Sequence, residues 1–287
     1  MGGSGPPPLP HRFRRFNVPT TSLSKIDVNG VRLLVSESGA GEPFLLVHGS
    51  WVDRRSWSFV EEELARSFHV FSYDRRGHSG SDDGAQPGRR SEDEQDLAAL
   101  IETIGVGPVH VVANSFGASI ALAAAARRPE LVRSICAHEP PLTALIADNP
   151  AIGQLDQAFG AVVALIDGGD DEAAARTSAE LVAGPGAWDD LPADQQAAIV
   201  QNAGTFAGES RQPDGMTIDL DALAAIRCPV LLSQGEVSPP FFRDIVGRVA
   251  EAVPGARVRT FAGAGHVPHR THPEEWAATV AAWVARD

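Results

Sequence analysis

Short apolar runs alternate with longer stretches of helical spacing along most of this chain. Residues 26–38 carry two such runs around Asn29-Gly30, a pair that accepts the positive backbone angles of a tight hairpin turn. A continuous apolar strand is predicted at 43–47, a helix at 57–67 and a strand at 69–73. Ser91, three residues before Glu94, makes a capping-box pattern ahead of a helix running through Ile104. Strand 109–113, helix 116–128 and strand 132–137 follow. After a long insertion come strand 230–233, helix 241–252, strand 257–261 and a last helix at 273–284. Apolar strands alternating with helices require a mostly parallel α/β sheet covered on both faces. In such sheets reactive residues belong in loops at the carboxyl ends of strands.

The insertion breaks this alternation. Helical spacing is predicted at 145–159, 161–166, 171–182 and 192–206, with no convincing strand. The physical reading is a helical cap, residues 142–220, lying over the strand ends and able to enclose an apolar pocket. A helical elaboration packed away from the strand ends is the alternative. The remaining core comprises 21–141 and 221–287, preceded by a Gly/Pro-rich arm, 1–20, expected to be disordered.

The 287 residues suffice for one core plus such an insertion. A formal net charge of -13 argues against nucleic acid or an anionic membrane as partner. No apolar run reaches the roughly 18 residues a membrane span needs. The basic N-terminus lacks an apolar run, so no secretory signal is expected. Two cysteines, Cys136 and Cys228, make no disulfide framework; buried thiols are expected, which suits a cytoplasmic protein. A monomer or homodimer acting on a small molecule is the expected state.

The candidate chemistry centres on Val111-Val112-Ala113-Asn114-Ser115-Phe116-Gly117, an apolar strand, a serine at a sharp turn and a helix of small residues. That is the geometry of a nucleophile elbow. Gly117 supplies the small residue at +2, whereas Ala113 replaces the usual glycine at -2. A helix-capping serine is the bland alternative. A base is expected at His266, in the glycine-rich turn Gly263-Ala264-Gly265 after the last strand. His269 and His272 extend this to an H-x-x-H-x-x-H spacing. Without a fourth ligand and a closed site no metal is expected, and no cofactor either. His110 and His69 read as structural, and His48 as a hydrogen-bonding residue rather than a second base. Oxyanion donors are expected from the backbone N–H of Phe116 and of Ser50, with Gly49 next. Trp51 and Trp57 should wall the pocket or pack on it.

The acid is less obvious. The loop after strand 230–233 reads Gly235-Glu236-Val237-Ser238-Pro239-Pro240, and Ser238 stands where an aspartate is commonest. A serine cannot hold the charge that orients an imidazolium. Glu139, at the end of the preceding strand and stiffened by Pro140-Pro141, is the preferred acid. Glu236 and Asp244 remain alternatives.

Together these motifs resemble the α/β-hydrolase superfamily. The resemblance rests on His48-Gly49, Asp74-Arg75-Arg76-Gly77-His78-Ser79, the Ser115 elbow, and Gly263-Ala264-Gly265-His266 followed by His272-Pro273-Glu274-Glu275. It implies an α/β-hydrolase fold with a mostly parallel eight-stranded sheet, helices on both faces and an inserted cap. It also implies a serine esterase or lactonase acting through an acyl-enzyme. Residues 135–140 are similar to the segment bearing the catalytic glutamate in the fungal zearalenone lactonases. There the acid likewise lies 24 positions beyond the nucleophile, the interval from Ser115 to Glu139. That likeness implies a pocket contact for Trp188. A cofactor-free dioxygenase or lyase using His266 as general base, and a non-catalytic small-ligand receptor, are the rival readings. Epoxide hydrolase and dehalogenase chemistry would want a carboxylate where Ser115 stands.

Overall fold

Asn29 and Gly30 sit at φ of 41° and 79° and close an antiparallel hairpin between β1 (Ser22–Val28) and β2 (Val31–Gly39). The computed structural model describes residues 21–84, 89–212 and 214–285, so the expected N-terminal arm lies outside it. After the hairpin the chain alternates as its apolar pattern requires: β3 (Glu42–Val47), α1 (Ser58–Ala65), β4 (Phe68–Tyr73), α2 (Arg90–Ile104), β5 (Val109–Asn114), α3 (Phe116–Arg127) and β6 (Val132–His138). Helices α4 (Pro150–Asp167), α5 (Asp171–Ala183), α6 (Ala193–Gln201), α7 (Ala203–Arg211) and α8 (Leu220–Ala224) follow. The alternation then resumes with β7 (Val230–Gly235), α9 (Pro240–Ala252), β8 (Arg257–Phe261), the single turn α10 (Pro268–Thr271) and α11 (Pro273–Val284).

The eight strands form one sheet in the order β1-β2-β4-β3-β5-β6-β7-β8. Strands β3 to β8 run parallel, and β2 is antiparallel to its neighbours β1 and β4. Alternate residues of the central strands serve opposite faces, as the two-residue period demands. Leu45, Val47, Val111 and Ala113 join Leu97, Ile120, Leu223 and Ile245 of α2, α3, α8 and α9 in one core. Phe44, Leu46 and Val112 join Val60 and Leu64 of α1 and Trp276 and Val280 of α11 in the other. Both faces are therefore covered, as continuous apolar strands need.

Three local expectations are corrected. The capping box at Ser91 does not form: α2 begins at Arg90 with no side-chain cap. Glu94 instead accepts from Arg90 Nη1 at 2.6 Å, and Asp214 accepts from the Ser91 N–H at 3.3 Å. The two segments expected at 145–159 and 161–166 form the single helix α4, which starts only at Pro150, with Asn149 capping Ala151. Proline is tolerated at the first helical position and not inside, whereas an interior glycine costs only about 1 kcal/mol, so α4 runs through Gly160. The helix expected at 192–206 is broken at Asn202, whose side chain is diverted to core loops. Helices α4 to α7 build a third apolar cluster, including Val162, Ala175, Ile199 and Phe206, which packs on Trp51. Cys136 is buried, whereas Cys228 is only half-buried. Among the described residues no helix is long and apolar enough to cross a membrane.

Candidate active site

Ser115 follows β5 at φ 56° and ψ -127°, a backbone conformation that L-residues seldom adopt. Its N–H donates to the His138 carbonyl of β6 at 2.8 Å, and its own carbonyl accepts from Ala118 N–H at 2.8 Å. The turn is tight because α3 runs against the end of β3. A Cβ on Gly117 would lie 2.4 Å from the Val47 carbonyl oxygen and 2.5 Å from that of His48. Gly49 is similarly constrained, since a Cβ there would come within 3.0 Å of the Ser115 Cβ. Ala113, by contrast, points into the core between Val47 and Ala137 of the neighbouring strands. One methyl group fits there, which explains why the incomplete motif still makes the turn.

His266 and Glu139 are brought together from residues 127 apart in sequence. His266 Nδ1 lies 2.6 Å from Glu139 Oε2, and Gly235 N–H donates to Glu139 Oε1 at 2.7 Å. Glu139 is fully buried and sits at φ 45° just after β6, with its own N–H bonded to the Ser233 carbonyl at 3.0 Å. Burial alone would raise this carboxyl. The adjacent His138 imidazole and the hydrogen bond from His266 outweigh it and hold the group well below the usual carboxylate range. Asn114 Nδ2 donates to the His266 carbonyl at 3.0 Å, and the Phe242 ring stacks on the imidazole at 4.6 Å. Gly235 must lack a side chain here, because a Cβ would strike the carbonyls of Ala264 and Gly265 in the loop carrying His266.

The other carboxylates considered are placed elsewhere. Glu236 accepts from Gly263 N–H at 2.8 Å, and Asp244 accepts from Asn149 at 2.9 Å. Both bonds lie at the exposed surface, so neither supports His266. His48 is buried with both nitrogens engaged: Nδ1 donates to Gly49 O at 2.8 Å and Nε2 accepts from Arg75 N–H at 2.9 Å. Burial, and then the Arg75 charge, push it down to about 3. It is a neutral structural group. His110 bonds Ser134 inside the sheet and His69 bonds Glu37 at its edge.

Ser115 and His266 line one cavity of about 500 Å³ together with Gly49, Ser50 and Trp51. Phe116 is the first residue of α3, where backbone N–H groups have no partner within the helix. The roof and walls come from α4, α5, α6 and α7, through Leu155, Phe159, Val163, Val182, Ile199 and Phe206. Trp51 stacks on Phe206 at 4.7 Å. Trp188 does not reach the cavity wall. It is buried among α5 and α6, with Arg176 over its ring and its carbonyl held by Gln196.

Three features escaped the sequence reading. His138 places Nε2 3.5 Å from Glu139 Oε2 while its Nδ1 lies 2.9 Å from Ser233 Oγ, so two histidines face one carboxylate. Its position beside Glu139 was the available signal. Together with His266 these groups lie within 4.8 Å of one another, a spacing a metal ion would accept. Both Glu139 oxygens, however, are already bonded to N–H donors. His269, expected only as part of a histidine spacing, lines the cavity and packs against Trp57 at 4.5 Å. Its Nδ1 has no partner among the described residues. His272 turns to Thr271 instead, so the three histidines do not converge.

Comparison with known proteins adds to this geometry. Residues 44–279 match the family described as "Alpha/beta hydrolase family". The uncharacterized hydrolase YraK of Bacillus subtilis is 36% identical over 132 residues, 45% of this chain and 49% of that protein. The aligned region therefore spans about half the length of that relative. The 2-(acetamidomethylene)succinate hydrolase of Mesorhizobium japonicum is 29% identical over 87% of this chain and 90% of its own. The crystal structure of carboxylesterase CesB from Bacillus subtilis superposes with a TM-score of 0.77 at 17% identity, covering 93% of each chain. That likeness is one of fold.

Proposed function

This chain belongs to the alpha/beta hydrolase family, and on that premise we propose that it is a serine hydrolase cleaving a carboxylic ester or lactone of a fairly hydrophobic small molecule. The observation that carries the reading is the buried Glu139–His266 couple at 2.6 Å, set on the cavity that Ser115 also lines. Residues 142–220 form the cap of this enzyme.

In the proposed reaction, Ser115 Oγ attacks the acyl carbonyl carbon and its proton passes to His266 Nε2. Glu139 stays ionised and holds the Nδ1–H, fixing the tautomer and stabilising the imidazolium. The tetrahedral oxyanion lies against the N–H groups of Phe116 and Ser50. Collapse expels the alkoxide, which takes the proton from His266. Water then attacks the acyl-enzyme through the same base, releasing the acid and restoring Ser115.

The mainly apolar lining supports a fairly hydrophobic substrate. The cavity volume falls within the roughly 300–1,000 Å³ typical of small-molecule sites. Of the two arginines on its lining, Arg211 is paired with Asp167 at 2.6 Å, whereas Arg270 donates to the Asp190 carbonyl at 2.9 Å and keeps its charge at the cavity rim. The likeness of residues 135–140 to the zearalenone lactonase segment supports the lactone arm of the reading. A panel of p-nitrophenyl esters and aliphatic lactones, assayed with wild type and Ser115→Ala, tests it. Turnover by wild type with loss of activity in the folded variant is expected. Retained activity, or oxygen uptake in place of hydrolysis, refutes it.

A further inference from the structure

One buried polar stripe ties the cap to the loop that carries the oxyanion donor. Asn202, Thr205 and Glu209 lie on one face of the segment leading into and along α7, and all three are buried. Each bonds a core loop. Asn202 Nδ2 donates to the Trp51 carbonyl at 2.9 Å, and its Oδ1 accepts from Ser79 N–H at 2.8 Å. Thr205 Oγ1 lies 3.0 Å from His78 Nε2. Glu209 accepts from Arg75 Nη2 at 2.5 Å.

Arg75 is the centre of this arrangement. Its guanidinium is 1% exposed and spans four acceptors: Asp93 at 3.0 Å, Glu209, and the Gly49 carbonyl and His78 Nε2, both at 3.2 Å. Gly49 O also receives His48 Nδ1–H. The Gly49 carbonyl and the Ser50 N–H belong to one planar trans peptide, so they point in opposite directions. Holding the oxygen from behind aims the N–H forward, on the side where Ser50 meets the cavity beside Ser115. A cationic donor on the oxygen also polarises the peptide and strengthens its N–H as a donor. The next residue, Trp51, stands at φ 70°, a strained angle for a bulky side chain, and Asn202 holds its carbonyl.

We propose that Arg75, anchored by Glu209 of the cap, and Asn202 are positioning residues that set the direction and donor strength of the Ser50 N–H. This rests on the reading of Ser50 N–H as an oxyanion donor in an ester hydrolase. The cap is then part of the catalytic frame as well as the roof of the pocket, and α7 is the element that must stay docked during turnover.

The test compares wild type, Arg75→Lys, Glu209→Leu and Glu209→Gln. Arg75→Lys keeps the buried cation but loses the fork, so it leaves no uncompensated carboxylates. Glu209→Gln keeps an acceptor for Arg75. Steady-state kinetics on p-nitrophenyl butyrate are paired with inhibition by an alkyl trifluoromethyl ketone, whose hemiketal oxyanion occupies the oxyanion site. Losing a whole oxyanion donor costs about 10²–10³-fold in kcat, so misdirecting one should cost about tenfold or more. Arg75→Lys and Glu209→Leu should lose that factor in kcat, with KM within about twofold and ketone affinity weakened in parallel. Glu209→Gln should restore kcat to within about threefold of wild type. Unchanged kcat in either folded variant overturns the proposal, as does a fall in kcat without weaker ketone binding. A wild type that neither hydrolyses the ester nor binds the ketone overturns the underlying hydrolase reading as well.

Discussion

His269→Phe should make the protein more stable at neutral pH and less sensitive to acid. His269 is 3% exposed, its ring 4.5 Å from Trp57 and 5.9 Å from Trp276 in an edge contact, and its Nδ1 has no partner among the described residues. Burial, followed by the charges of His138, His266 and Arg270, pushes its pKa down to about 3. The folded state therefore keeps the ring neutral, whereas the unfolded chain protonates it near the ordinary value of about 6.5. A depressed folded pKa contributes stability that is present above about 6.5 and is lost as pH falls toward about 3. One extra proton taken up on unfolding gives a slope of about 1.4 kcal/mol per pH unit, or about 2.5 kcal/mol between pH 6 and pH 4. Phenylalanine keeps the ring contacts and cannot titrate. It also removes an unsatisfied buried nitrogen, worth about 1–3 kcal/mol. Adjoining cavity space receives the slightly larger ring. Urea denaturation of both proteins at pH 4, 5, 6 and 7 supplies the measurement. The wild-type stability curve should be steeper than the variant's by about one proton. Parallel curves for the two proteins would refute the reasoning.

Other consequences can be checked directly. Gly117→Ala forces a Cβ against the Val47 and His48 carbonyls, so a loss of about 1–3 kcal/mol is expected, read as a lower melting temperature with fewer titratable Ser115 sites. Glu139→Gln should lower kcat by about 10³-fold or more, as removing the orienting charge does in comparable triads, while Glu236→Ala stays within a few fold. The reverse result in steady-state assays would move the acid to Glu236. Val163→Trp narrows the cavity wall and should lower kcat/KM for p-nitrophenyl decanoate at least about tenfold relative to the acetate ester.

The sheet and its order along the chain were legible because each strand is a local apolar run and each helix a local periodicity. The elbow was legible for the same reason: Ala113, Ser115 and Gly117 are neighbours whose sizes report the turn they make. Glu139 could be nominated from local signals, namely the prolines that follow it and the serine at 238. Its contact with His266 is a matter of sheet order, since β6 and β7 must be adjacent for Gly235 N–H to reach the carboxylate. What could not be read was mostly nonlocal. Arg75 and Glu209 are 134 residues apart and nothing in either neighbourhood announces the pairing. Ser91 and Glu94 satisfied a capping pattern that Arg90 and Asp214 overrode. Trp188 failed as a pocket residue because a tryptophan in an amphipathic segment reads the same whether it faces a cavity or its neighbouring helices.

With Glu139, after β6, as the proposed acid, the loop after β7 carries no catalytic carboxylate. That loop carries Pro239 and leads into Phe241 and Phe242, all on the cavity lining. Its backbone still braces the turn that carries His266, through Glu236 N–H to Phe261 O and Val237 N–H to Ala264 O at 3.0 Å each, so the cavity-facing side chains of Pro239 and Phe241 are the part open to change. In a fold where this loop usually carries the acid, specificity and reactivity compete for the same few residues. Under the proposed assignment they are divided between two adjacent strands, which leaves Pro239 and Phe241 as ground on which new substrate preferences can be selected.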